Sequence, residues 1–510
     1  MTVTAVLRQL KQSQINLRLD GTVLHYSCPA GALTDELRRT ILDHKPVLVS
    51  LFSTVAEIAR SSACRRPTDD NLPKTPWFEW YLDTFDPREH GWAIGLVIKF
   101  PGQVMLDVLR SAVLELIARH DAFRLRLSPT ADGNWTLCMA PNALDGAAIV
   151  AHDLSDVPDE ARLERLRLIG TDLRQQLNIV NGPVLGVAIC TFADCTGDVI
   201  LLVIHHNIVD GYSVQLIARD LIQIYQTLLA SGGLQSRSAY ISYKQYLTET
   251  YYRTQQTDFV AESVAFWLES DRLRRVRRLP VDHLHGRHTT GNSRRIVQSL
   301  DSSLMRQLGT AAASRGAALH ELILHAVGGA FHRWTNHEYL RIDFEHHGRD
   351  VLGPSSPLTE TVGPMTVKVP VLLNVRAATS DLKAISIELR DSVEHGLGYG
   401  FLRYCCQDPV VRQRLTACRP AQVLLNNRLS IWRAAPKAGP IDLYGARIGQ
   451  IGGLAPPGKA DPVSYDILIE CDGSMDGAVM TWTYSGAIHR DETVRSLASA
   501  AFTSLSSLTG

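Results

Sequence analysis

A chain of 510 residues is too long for one ordinary hydrophobic core, so about two to four structural units are expected. Lysine plus arginine and aspartate plus glutamate number 52 each, and no basic run is long enough to track a phosphate backbone, which sets nucleic acid aside as a partner. Apolar residues make up 45% and charged residues 20%, as in globular proteins; there is no signal-peptide core and no run of about 18 apolar residues, so no membrane contact and a cytosolic location are expected.

Residues 1–58 read as a small unit of their own. An apolar-periodic helix over Val3–Leu10 precedes two alternating segments, Leu17-Arg18-Leu19 and Val23-Leu24-His25-Tyr26. Asp20-Gly21 between them is a hairpin signal, because glycine accepts the positive φ of a tight primed turn. Thr34 is placed to cap a helix running to Leu42, with Asp35 and Glu36 where carboxylates complement the helix dipole, and a further helix is expected over Pro46–Ala59. So small a core with an open hairpin edge suits docking of an extended peptide, through Arg18, Leu19, Asp20, Gly21, Leu24 and Tyr26. Six basic against four acidic side chains up to Phe52 favour a mildly acidic peptide. Residues 59–74 are polar and carry two prolines, the composition of an interdomain linker, so a domain boundary is placed there.

From Trp77 onward strands and helices alternate. A strand is expected near Trp92–Phe100, a helix near Val104–Arg119, a strand entered at Phe123-Arg124-Leu125, and a buried central strand over the wholly apolar Val199–Ile204. A long helix follows from Tyr212 to Ala230, stopped by Ser231-Gly232-Gly233. In the second half, helices are expected near Ser302–Ser314 and Leu319–Trp334, with strands near Leu340–Phe344, Ile467–Cys471 and Ala478–Thr483. The nine cysteines include no Cys-x-x-Cys pair, and adjacent Cys405-Cys406 is poor zinc geometry, so reduced thiols and no metal centre are expected.

The turn His205-His206-Asn207-Ile208-Val209-Asp210-Gly211 carries the chemistry. An imidazole at the mouth of a buried strand suits a general base acting on an amine or hydroxyl. Asp210 suits a structural pairing with a buried arginine, Gly211 a close approach or unusual backbone angle, and Ser213 the cap of the next helix. The same residues are also read, more plainly, as a tight strand-to-helix turn.

Ile204–Ser213 resembles the His-His-x-x-x-Asp-Gly motif of nonribosomal peptide synthetase condensation domains. Arg119-His120-Asp121-Ala122-Phe123-Arg124, Tyr240–Tyr243, Phe266-Trp267 and Leu279–Asp282 fall in that family's order, whereas Phe78 stands where the opening motif carries glutamine. The resemblance, over residues 75 to about 505, implies a mixed α/β (α+β) fold: two chloramphenicol-acetyltransferase-like lobes in a V, divided as 75–245 and 246–510, around a central tunnel. It implies His206 as the catalytic residue, with His205, Asp210 and Gly211 in its motif and Arg124 as the salt-bridge partner of Asp210. Tyr212, Ser213, His347, Thr361, Gly363 and Asn426 are implied as tunnel or pocket residues. No bound cofactor is implied; the acyl donor would arrive as a thioester on the phosphopantetheine of an upstream acyl or peptidyl carrier protein. The acceptor would be a small molecule or carrier-bound.

Residues 1–58 resemble the β-hairpin docking domains that capture a short linear motif from the tail of a carrier protein. Without an adenylation or carrier domain between the docking unit and Gly510, the chain fits ester-forming, chain-releasing condensation enzymes that receive their donor in trans. A second resemblance competes. Asp343–Arg349, Thr361-Val362-Gly363, Gly396–Gly400 and Asn426 are similar to epimerization-domain motifs, with Glu345 at the position of their acid/base glutamate and His346 and Pro364 departing from the pattern. A non-catalytic recruitment platform is a third reading, opposed by the retained His206, Asp210 and Gly211. A coenzyme A acyltransferase is a weaker one, as no Asp-Phe-Gly-Trp-Gly segment occurs.

Overall fold

The computed structural model describes the chain except for Met1, 62–66, 69–70, 89–91, 101, 142–146, 193–196, 231–239, 270–271, 354–357, 379–380, 430–446, 451–462, 475–476 and Gly510. The expected stop at Ser231–Gly233 lies outside the described residues.

Strand β1 (Asn16–Asp20) pairs antiparallel with β2 (Val23–Ser27), Asp20 opposite Val23. The loop is therefore Gly21-Thr22, and Gly21 takes φ +58°, the conformation that selects glycine there. Helix Val3–Gln12 is capped by Thr2, and helix Asp35–Asp43 by Thr34, whose hydroxyl accepts the Leu37 N–H at 3.2 Å. Val6, Leu10, Ile15 and Leu37 form a small local core.

The unit also packs against the rest of the chain. Helix Lys45–Ser61 turns Leu48, Leu51, Phe52, Val55 and Ile58 into a core shared with Phe259–Leu268 and Leu397–Leu402. Full burial of each such side chain is worth roughly 1.5–3 kcal/mol. The exposed ion pairs at the same seam, Lys11–Glu262 at 2.8 Å and Arg8–Glu394 at 3.5 Å, add at most about 1 kcal/mol each. Apolar packing dominates the attachment. It also turns Leu19 and Leu24 inward, so of the expected docking residues Arg18, Asp20, Gly21 and Tyr26 remain exposed.

The remaining strands, in order, are β3 (Ala93–Lys99), β4 (Leu125–Pro129), β5 (Trp135–Met139), β6 (Ala147–Asp153), β7 (Leu185–Thr191) and β8 (Val199–His205). There follow β9 (Ser293–Asp301), β10 (Tyr339–His346), β11 (Val367–Asn374), β12 (Val423–Asn427), β13 (Arg447–Gln450), β14 (Ile467–Ser474) and β15 (Gly477–Ser485). Phe123-Arg124, expected to enter a strand, instead closes a 3-10 turn, Asp121–Arg124, ahead of β4.

One sheet runs β13-β3-β8-β7-β6, with β8 at its centre. All seven β8 residues are buried because both faces are covered. Ile200, Leu202 and Ile204 pack with helices Leu106–Arg119 and Gly211–Leu229, while Val199, Leu201 and Val203 pack with helix Asp159–Gln176. Period-two alternation thus explains an unbroken apolar run. The second sheet, β11-β10-β12-β14-β15-β9, is covered by helices Ser302–Ser314, Leu319–Thr335 and Asp491–Ser507. Strand β13 belongs to the second half by sequence yet pairs antiparallel with β3, Gln450 opposite Leu96, tying the first sheet to the later chain. Among the described residues no helix is long and apolar enough to cross a membrane, and the described cysteines are free thiols.

Candidate active site

Strand β8 delivers the two histidines to the edge of a cavity of about 980 Å³ lined from both sheets. Continuing the alternation, His205 is wholly buried; its Nδ1 accepts the Asn207 N–H at 3.2 Å, and it does not line the cavity. The chain then tightens into a 3-10 turn, His206–Ile208, and His206 does line it.

The His206 ring is oriented on three sides. Its backbone N–H donates to the Trp92 carbonyl at 2.8 Å, and its imidazole stacks on Trp92 with centroids 4.2 Å apart. Its Nδ1 lies 3.1 Å from the Val209 carbonyl oxygen. A carbonyl only accepts, so Nδ1 carries the proton and Nε2 keeps its lone pair. Burial pushes the pKa down to about 4, against the opposing pull of Asp210 and the Val209 carbonyl. The ring is neutral at ordinary pH, the state a general base requires.

Asp210 caps helix Gly211–Leu229, its Oδ1 accepting the Ser213 N–H at 2.8 Å. The cap is therefore Asp210 and not Ser213, and Gly211 is the first helical residue, outside the positive-φ region. Arg349 donates to both Asp210 oxygens, Nη1 to Oδ2 at 2.9 Å and Nη2 to Oδ1 at 3.1 Å, and the Met365 N–H adds a third contact at 3.0 Å. Burial alone would raise the Asp210 pKa; Arg349 and the Ser213 and Met365 amides overcome it and hold the carboxyl below its usual value. Arg349 also reaches Ser213 Oγ at 3.0 Å and the Thr361 carbonyl at 3.3 Å, and lies 4.0 Å over the Tyr212 ring.

The expected Arg124 partner is thus corrected to Arg349. The oxygens of Asp210 are occupied from the segment after β10, while Arg124 ends the 3-10 turn before β4, where its carbonyl accepts the Ala140 N–H. Arg349 lies 139 residues beyond Asp210, so the pair ties the loop after β8 to the loop after β10.

Of the remaining expected residues, Tyr212, Glu345, His347 and Asn426 line the cavity with Asp210 and Gly211. Ser213, Thr361 and Gly363 do not; they form the seam beneath it. Ser213 Oγ meets Gly363 at 3.0 Å, and a Cβ on Gly363 would stand 1.9 Å from the Tyr243 ring, which is why that position is glycine.

Glu345, on β10, sits directly opposite Lys368 on β11. Burial raises its pKa, with Lys368 and Arg428 partly opposing. Among the described residues it forms no ion pair; the neighbouring Arg428 turns instead to Glu470, at 3.1 Å, and to Asp472. The residues not singled out as site residues from sequence are Arg349, Lys368 and the indoles of Trp77, Trp80 and Trp92. The tryptophans stood in view before and within β-rich sequence, but their convergence on His206 needs the fold. His346, His347 and Asp350 lie within 4.8 Å of one another through their ligand atoms. Each ring's Nδ1 is already engaged by a backbone N–H, from Gly348 at 3.3 Å and Arg349 at 3.0 Å.

Comparison with known proteins bears on the family and the fold. Residues 3–53 match the TubC N-terminal docking domain and residues 74–414 the condensation domain. The chain is 28% identical over 474 residues to one of the linear gramicidin synthase proteins of Brevibacillus parabrevis, covering 87% of this chain and 6% of that protein. It is 27% identical over 471 residues to chondramide synthase cmdD of Chondromyces crocatus, covering 90% and 12% respectively. It thus spans about a tenth or less of these relatives' length. In fold it is similar to the epimerization domain of the third module of tyrocidine synthetase B (TM-score 0.76, 19% identity, 88% of this chain and 99% of that one). It is also similar to the condensation domain of chain release from the enacyloxin polyketide synthase (TM-score 0.67, 19% identity, 100% and 95%). With the matched family spanning most of the sequence and its two-sheet architecture in place, the chain belongs to the condensation domain family, carried behind a TubC-type docking domain.

Proposed function

We propose that this protein transfers an acyl group from a carrier-bound thioester to an amine or hydroxyl, with His206 as general base. The observation that carries the reading is the tautomer: Nδ1–H is held by Val209, leaving the Nε2 lone pair in a cavity shared by both sheets. Nε2 takes the proton of the nucleophile as it attacks the thioester carbon. The tetrahedral intermediate collapses by breaking the carbon–sulfur bond, and the proton passes from His206 to the departing thiolate. Asp210 and Arg349 hold the turn in place. Meeting of two substrates in one cavity supplies much of the rate through positioning.

The finer reading is chain release: transfer to a free acceptor, giving an amide or ester product. It is supported by the likeness in fold, over both docking and condensation segments, to a domain that releases chains from a polyketide synthase. The donor is delivered on the phosphopantetheine of an upstream carrier protein whose tail binds the exposed hairpin, with Arg18 and Tyr26 outward. Intact-mass spectrometry of an acylated carrier protein, mixed with the enzyme and a panel of amines and alcohols, tests this. Loss of the acyl group into a new amide or ester, dependent on His206, is the expected result.

A second reading is favoured by Glu345, an acid in the same cavity as His206 with no ion pair among the described residues, and by the likeness to an epimerization domain. Exchange of the α-proton with solvent deuterium, without transfer, would select it.

A further inference from the structure

The cavity has two unlike walls. Trp77, Trp80, Phe85 and Trp92 make one side aromatic, around His206, while Glu345, Lys368, Arg428 and Glu470 bring charge from the second sheet. The charges on that side are mostly spent. Arg428 pairs with Glu470 and Asp472, and Asp343 behind them pairs with Arg341 at 3.0 Å and accepts from Tyr465 Oη.

Glu345, on the facing strand, has no ion pair among the described residues, and neither has Lys368. Its Nζ lies 3.2 Å over the centroid of the Trp80 ring and 5.8 and 5.6 Å from the Trp77 and Tyr465 rings. Among the described residues it has no hydrogen bond and no carboxylate within ion-pair distance, although Glu345 stands across the strand pair. A cation–π contact offsets only part of the cost of desolvating an ammonium, commonly about 2 kcal/mol when buried. An ammonium that lines the cavity and meets no acceptor at hydrogen-bond distance among the described residues is a site for an anion. The position relative to the base is equally telling. The Trp77 ring is 5.4 Å from the His206 ring and 5.8 Å from Lys368 Nζ, so base and ammonium flank one indole.

We propose that Lys368 anchors a carboxylate of the acceptor, placing its amine or hydroxyl at His206. The acceptor is then a free amino acid or hydroxy acid, because an acceptor bound to a carrier through its own carboxyl has that group masked as a thioester. This rests on the acyl-transfer reading and names its acceptor class; the aromatic wall is left for the apolar part of the substrates.

Binding is measured in the His206→Ala protein, so that the outcome does not depend on turnover. Indole fluorescence is titrated with 4-aminobutyrate and 4-hydroxybutyrate, each against its primary amide, with the same titration on Lys368→Met and Lys368→Arg in that background. At least tenfold tighter binding of the acids, lost in Lys368→Met and kept in Lys368→Arg, is expected. Equal binding of acid and amide, no detectable binding of either, or discrimination that survives Lys368→Met overturns the proposal; the first two results need no variant at position 368. A separate arm compares succinyl-pantetheine with butyryl-pantetheine, and a charge preference larger there than for the free acids assigns Lys368 to the donor and overturns it as well. Failure of the transfer assay with discrimination intact would instead count against the acyl-transfer reading alone.

Discussion

Asp210 and Glu345 are two acids in one cavity with opposite fates. Asp210 meets two guanidinium nitrogens and two backbone amides and is held ionised; Glu345, with no such contacts, is pushed by burial toward its neutral form. The residue type does not set the role. Asp210 has no lone pair to spare for chemistry and serves as a strut, whereas Glu345 keeps its proton-handling capacity in the same space.

The largest effect is expected at His206, in the same cavity. His206→Ala should lower transfer by about 10²–10⁴-fold while the melting temperature stays near wild type, read by intact mass and thermal unfolding. Wild-type rates in a folded His206→Ala protein would end the general-base mechanism.

Next is the strut. Asp210→Ala leaves Arg349 buried and uncompensated, at an expected cost of about 3–5 kcal/mol. Replacing Arg349 with Met in the same protein should recover part of that loss in denaturant unfolding. If the double variant is as unstable as the sum of the single ones, the pairing is not what holds the turn.

A smaller effect concerns pH. With His206 protonating at about 4, the base survives well below the usual histidine range, so the acid limb of kcat/KM should fall near pH 4 rather than 6.5. A limb at 6.5 would mean the ring is open to water when substrate binds.

The smallest is Glu345→Gln. A carboxyl whose folded pKa is raised costs nothing when protonated in both states and destabilises as pH rises above its ordinary 4.5. The glutamine variant should therefore match wild-type stability at pH 4 and exceed it slightly at pH 7. For acyl transfer its rate should stay within about tenfold, since the proton passes through His206; a loss as large as that of His206→Ala would make Glu345 an equal partner and favour epimerization.

What the sequence revealed, and what it hid, divides along chain distance. The hairpin, the Thr34 cap, the buried β8 and His206 at its mouth all depend on neighbours within a few residues and were legible, although the turn itself is Gly21-Thr22, one residue on from the expected Asp20-Gly21. Arg349 could not be chosen over Arg124 by local rules, since either guanidinium satisfies a buried carboxylate and only the fold decides which arrives. The four-residue β13 carries no pattern long enough to announce which sheet it joins. Helix Lys45–Ser61 shows an apolar face but not that its partner is Phe259–Leu268, so the core shared across the linker-like segment was not legible.

That shared core has a mechanical consequence. The hairpin is seated on the same packed block as Leu397–Leu402, which follows the helix Leu382–Glu394 whose Leu389, Arg390 and Val393 line the cavity. On the proposed function, a peptide held on the hairpin would be moored at a set bearing from the cavity, like a boat on a fixed pontoon rather than a swinging buoy. The tether between that peptide and its carrier protein would then span one distance, and local concentration at the cavity would peak where the tether's mean length matches it. Lengthening the tether should first raise and then slowly lower the transfer rate, and truncating residues 1–58 should cost thermal stability as well as capture.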